Sequence, residues 1–214
     1  MVAKPARKRA TYQDVIDAPE NMVAEIIDGE LLLASRPKGR HARNYTTAGA
    51  FLTGAFEFGL NGPGGWKFVF EPELHWGPAE RLDVLVPDIA GWREERFVDS
   101  LDGYFHVVPD WICEVASPST AHVDRMKKMP LYARQKVSHV WLPDPKTWLV
   151  DVFRFEKTRY SLVGTYGGND AIRAEPFEEV EIPPAFFWGA AAPPPDESAS
   201  KPVKKRASGS KKKR

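Results

Sequence analysis

A carboxylate stands inside a run that otherwise suits a strand buried on both faces, Trp111-Ile112-Cys113-Glu114-Val115-Ala116. A second acid, Asp88, ends the run Val84-Leu85-Val86-Pro87 and precedes Ile89-Ala90. An ionised carboxylate in such surroundings costs several kcal/mol unless a cation, an arginine or several donors meet it. Two apolar strands holding one acid each point to a shared divalent ion, and hard oxygen ligands suit magnesium or manganese. Taken singly, each acid also has a plainer role: Asp88 as a turn acid after a proline, Glu114 as the partner of a core arginine.

Cations follow closely. In Asp124-Arg125-Met126-Lys127-Lys128-Met129-Pro130-Leu131-Tyr132 the proline removes a donor and crowds the preceding turn. A regular helix beginning near Pro130 leaves Lys127 and Lys128 at its mouth; a kinked first turn is the alternative. From either place a lysine is able to fold back toward Glu114. There it would orient or help deprotonate a water and neutralise charge developing on a phosphate. A solvated cation is the ordinary fate of either lysine alone.

Elsewhere the pattern describes an α/β chain. Thr11 caps a short helix over 11–19, with Asp14 three residues on. Asp28-Gly29 between Val23-Ala24-Glu25-Ile26-Ile27 and Glu30-Leu31-Leu32-Leu33 is a hairpin signal, because both turn positions need positive φ. That register sets Ile27 against Glu30 and Glu25 against Leu32. Glu25 and Glu30 then share one face, either as a solvated surface or as a further acid for the ion. Residues 41–59 carry the longest helical pattern, and 66–76, 82–92 and 111–116 read as strands. A helix ending near Gln135, strands at 139–142 and 148–155 and a closing strand at 159–165 complete a mixed-sheet core. Ser117, Ser119 and Thr120 cap the helix or offer donors to a phosphate. His41, at the start of the long helix, is a structural histidine or a contact to the site or to phosphate.

Charge divides the chain into three. Residues 1–10 hold four lysines or arginines and no acid, and 193–214 hold eight against two acids. The body, 11–192, is left at net −9. The two arms are expected to be disordered, and either hold phosphate backbones by counterion release or keep the protein soluble. Hydrophobic residues at 43% exclude wholesale disorder. The longest charge-free stretch, 182–195, holds five prolines, so no membrane span is expected. No apolar segment follows the basic N-terminus, and a lone Cys113 forms no internal disulfide, so a cytoplasmic location is expected.

Asp28-Gly29-Glu30-Leu31, Val86-Pro87-Asp88-Ile89-Ala90, Glu114-Val115-Ala116-Ser117-Pro118-Ser119-Thr120, Asp124-Arg125-x-x-Lys128, Tyr132-Ala133 and Val140-Trp141-Leu142-x-Asp144-Pro145 occur in that order. Over residues 11–188 this series resembles the Uma-two family, classed with restriction endonucleases in the PD-(D/E)XK nuclease superfamily. The resemblance implies a restriction-endonuclease-like αβββαβ core. To it are added the N-terminal hairpin and a C-terminal hairpin. It also implies a divalent metal held by Asp88, as the aspartate of the PD motif, and Glu114, as the acid of the (D/E)XK motif. The motif's lysine position is Ala116. The family is thought to draw this lysine from the following helix, here Lys128, with Lys127 as the fallback.

The expected function is a magnesium- or manganese-dependent DNA endonuclease using Asp88, Glu114 and Lys128, with Glu25, Glu30, His41 and Lys127 as accessory candidates. Ala116 favours a rival, a nucleic-acid-binding module that keeps the fold without the chemistry. A structural or partner-binding domain, pairing as a homodimer through its aromatic strands, is the other.

Overall fold

The structure, a computed structural model, describes residues 8–36, 39–117 and 120–188. Nearly all of both basic arms, and Ser119, lie outside the described residues.

Helix α1 (Tyr12–Ile16) begins at Thr11, whose N–H and hydroxyl donate to the Asp14 carboxylate at 2.7 and 2.8 Å. Strands β1 (Met22–Ile27) and β2 (Glu30–Ser35) form the hairpin, with Asp28 at φ 54° and Gly29 at φ 80°. Ile27 pairs with Glu30 and Glu25 with Leu32, the register that a two-residue turn dictates. Helix α2 (Arg40–Leu52) runs on through a π turn, Thr53–Glu57. It buries Ala48, Leu52, Ala55 and Phe56. Burial of Leu52 and Phe56 stabilises by about 1.5–3 kcal/mol each.

The sequence suggests single strands over 66–76 and 82–92; the structure divides both. β3 (Trp66–Phe70) and β4 (Glu73–Trp76) flank Glu71-Pro72, with Glu71 at φ 47°. β5 (Asp83–Leu85) and β6 (Ile89–Arg93) flank Val86-Pro87. Proline cannot donate to a ladder, and at each proline the chain leaves one sheet for another. The connector contributes β7 (Tyr104–Phe105) before β8 (Trp111–Cys113). A crossover of α3 (Ala121–Val123), a π turn at Asp124–Lys128 and α4 (Met129–Gln135) leads to β9 (His139–Asp144). Strands β10 (Leu149–Glu156) and β11 (Arg159–Gly167) form the C-terminal hairpin, and α5 (Ala185–Trp188) follows.

One sheet has the order β2-β1-β5-β4-β7, the other β11-β10-β9-β8-β6-β3. In the larger sheet β8 and β9 are parallel and every other pair is antiparallel. The series α2, β3, β6, β8, α4, β9 is the expected αβββαβ core, with a hairpin at each end. Alternation along β8 assigns the two faces of the larger sheet. Trp111, Cys113 and Val115 enter the core packed by α2 and α5, whereas Ile112 joins Leu131 and Tyr132 of α4 in a second core.

Candidate active site

The register that pairs Ile89 with Cys113 sets Asp88 beside Glu114 one step beyond the ladder. Val115 N–H donates to Asp88 Oδ2 at 2.7 Å, tying the Pro87-Asp88 turn to the end of β8. The backbone of β8 stays extended past Cys113, since Glu114 N–H donates to Trp141 O and Ala116 N–H to Pro143 O. With Val115 directed into the α2 core, Glu114 and Ala116 share the opposite face, toward α4.

Lys128 arrives at that face from the helix. Its Nζ lies 3.1 Å from Glu114 Oε1, 2.9 Å from Glu25 Oε1 and 3.8 Å from Asp124 Oδ1. The Tyr132 hydroxyl also donates to Glu114 Oε1. Asp124, Lys128 and Tyr132 are spaced by four. On a plain α-helix that spacing drifts by about 40° per step. The wider π turn at Asp124–Lys128 offsets the drift and keeps the three side chains over Glu114. The same turn accommodates Pro130, whose ring has no donor to give to the preceding turn. Of the two alternatives for this segment, the first is the one formed: the regular helix begins at Met129, beside Pro130, and Lys127 and Lys128 lie in the π turn at its mouth.

Acidic groups outnumber the ammonium in the centre. Glu25, Asp88, Glu114 and Asp124 are all buried, and one ammonium is buried with them. Burial raises the Glu114 carboxyl well above its usual range, against the opposing Lys128 charge. Burial likewise pushes Asp124 up to about 6. For Lys128, burial is outweighed by the charges of Glu114, Glu25 and Asp124, which raise its pKa and keep it protonated. His41 Nε2 lies 3.1 Å from Asp88 Oδ1, and that contact outweighs burial to raise the imidazole above its ordinary value. Tyr45, one turn on, donates to Glu71 at 2.9 Å, and Glu71 N–H donates to Asp88 O at 3.1 Å.

A set of carboxyl oxygens whose protons a cation can displace is donor chemistry that fits a hard divalent ion. Asp88 and Glu114 are the acids that the motif resemblance assigns to such an ion; Glu114 Oε2 takes no part in the Lys128 and Tyr132 bonds. Among the described residues, no group of three or more His, Cys, Asp or Glu side chains is arranged to hold an ion. Two carboxylates with water and substrate phosphate completing the shell is the usual habit of magnesium.

The other candidates separate by distance from this centre. Glu25 is inside it, but its Oε1 is taken by Lys128 and by Val86 N–H, the latter at 2.8 Å. Glu30 is exposed and Lys127 half-buried, and they bond each other at 2.7 Å, so Lys127 is turned away from Glu114. Ser117 Oγ accepts from Thr120 N–H at 3.2 Å as the helix begins. Asp124 and Tyr132 carry parts of the site to which sequence reasoning gave no role; their spacing of four around Lys128 was the available signal.

The topology is that of the restriction-endonuclease-like class, with two strand-end acids and a helix lysine brought to one end of the larger sheet. The chain belongs to the Uma2 family: the family model described as "Uma2: Putative restriction endonuclease" matches residues 10–185. It is also similar to the crystal structure of "a putative nuclease belonging to DUF820" from Anabaena variabilis ATCC 29413. The TM-score is 0.65 at 19% identity, covering 84% of this chain and 98% of that one. At that identity the likeness shows the fold. No curated protein matches the chain. Among the described residues no helix is long and apolar enough to cross a membrane.

Proposed function

We propose that the chain is a magnesium- or manganese-dependent endonuclease that hydrolyses DNA phosphodiester bonds at Asp88, Glu114 and Lys128. Membership of a family described as restriction endonucleases supports nuclease action on nucleic acid. The observation that carries the residue assignment is the 3.1 Å approach of Lys128 to Glu114, beside a strand whose own lysine position is Ala116.

The reaction demands a barrier reduction on the order of 20 kcal/mol, most of it from positioning and charge neutralisation. The bound ion would polarise the scissile phosphate and acidify a coordinated water. Lys128, buried and held protonated, neutralises charge developing on the phosphate and orients the attacking water through its N–H groups. His41 and Val115 N–H fix the Asp88 carboxylate from two sides. Tyr132 and Lys128 fix Glu114 at Oε1. The basic arms add phosphate attraction that the acidic body lacks. A cytoplasmic location and pairing as a homodimer belong to the same proposal.

The ion pairs already closed around Lys128 favour a second reading, a nucleic-acid-binding module that has kept the fold without turnover. Supercoiled plasmid incubated with magnesium, manganese or EDTA separates the two. Chelator-sensitive nicking lost in Asp88→Ala and Glu114→Ala is the expected result. DNA binding without nicking assigns the second reading, and neither activity leaves a structural or partner-binding domain.

A further inference from the structure

Glu25 lies in mid-strand in β1 and is 5% exposed, yet two donors converge on its Oε1. Val86 N–H comes from the residue before Pro87-Asp88, at 2.8 Å, and Lys128 Nζ from the crossover helix, at 2.9 Å. The ammonium is thus nearer to Glu25 than to Glu114, at 3.1 Å. A lysine borne on the strand two residues after Glu114 would be aimed by its own backbone. One borne on the crossover, at the end of a long side chain and within a π turn, needs a fixed anion to hold it on target. We infer that Glu25 is a positioning residue that anchors Lys128 and locks the Pro87-Asp88 turn, so that the N-terminal hairpin is a working part of the site. This rests on the nuclease reading above. Both bonds use Glu25 Oε1, and the magnesium requirement measured below separates an anchor from a ligand of the ion.

The test pairs kinetics with a measurement that needs no turnover. Glu25→Gln keeps an acceptor for Val86 and removes the charge facing Lys128; Glu25→Asp keeps the charge and shortens the arm. In single-turnover plasmid cleavage both lower the rate constant by about tenfold or more. The half-saturating DNA and magnesium concentrations stay unchanged. In a Lys128→Met background the same substitutions cost nothing further, because Glu25 acts through the lysine. A raised magnesium requirement, or an equal loss in the Lys128→Met background, overturns the inference. Acetylation of folded protein with a water-soluble amine reagent, followed by mass spectrometry, reads the anchor directly. Lys128 is protected in the parent chain and labels severalfold faster in both variants; unchanged labelling overturns the inference. If the parent chain does not nick DNA, the nuclease reading fails, and the labelling still decides whether Glu25 holds Lys128.

Discussion

Lys128 Nζ lies 3.1 Å from Glu114 Oε1 across fourteen positions of sequence, on the sheet face that Ala116 shares with Glu114. The helix therefore delivers a cation to the region where a lysine at 116 would have placed one. Both groups are buried, so their attraction is little screened by salt.

Removing that cation leaves buried acids without their partner. Lys128→Met is expected to lower plasmid nicking by about 10²–10⁴-fold. It is also expected to destabilise the fold by about 3–5 kcal/mol, read by urea denaturation at pH 7.5. Wild-type nicking by the variant would remove Lys128 from the chemistry.

Relocating the lysine tests the geometry. Ala116→Lys in the Lys128→Met background places an ammonium on the strand, on the Glu114 face, and is expected to restore at least about tenfold of the lost nicking. The control, Ala116→Arg in the same background, restores less, because a broad guanidinium does not replace a compact ammonium. Equal recovery by both variants would show that charge alone is at work.

Asp124 gives a pH dependence of defined sign. Burial raises its carboxyl to about 6 in the fold against 3.8 when exposed, so between these values the folded chain holds a proton that the unfolded chain has lost. Its contribution to stability is present below 3.8 and is lost as pH rises through 6. In EDTA, the melting temperature of Asp124→Asn relative to the parent should therefore rise between pH 4 and pH 7. A difference that stays flat or falls over that range contradicts the assignment.

Metal linkage supplies a prediction independent of turnover. A magnesium concentration ten times the dissociation constant stabilises by about 1.4 kcal/mol, or about 3–6 °C in a chain of this size. Asp88→Ala and Glu114→Ala are expected to abolish the shift. Because the raised Glu114 carboxyl must ionise to bind, magnesium uptake should also release protons, measurable as a buffer-dependent heat.

Much of this site was legible from local pattern. An acid in an apolar strand has few options, which singled out Glu114 and Asp88; Asp28-Gly29 fixed a register that put Glu25 and Glu30 on one face. Alternation alone could not separate those two glutamates. Glu25 sits in mid-strand beneath the helix and is buried, while Glu30 sits at the exposed turn, a difference set by packing between elements distant in sequence. The division of 66–76 and 82–92 between two sheets was also hidden, although Pro72 and Pro87 mark both crossings. Large apolar residues stand on either side of each proline, so composition gave no hint of a change of sheet.

The role proposed for the C-terminal basic arm is in affinity rather than chemistry. Deleting 193–214 removes eight cations and is expected to flatten the dependence of DNA affinity on salt, while the single-turnover rate at saturating protein is kept. An unchanged salt slope would assign the arm to solubility alone.

Anomalous diffraction from crystals grown with manganese examines the pairing of the two acids most directly. One peak within coordination distance of both Asp88 and Glu114, lost in Glu114→Ala, is the expected result. A peak elsewhere, or none at a manganese concentration that supports nicking, contradicts a shared ion between them.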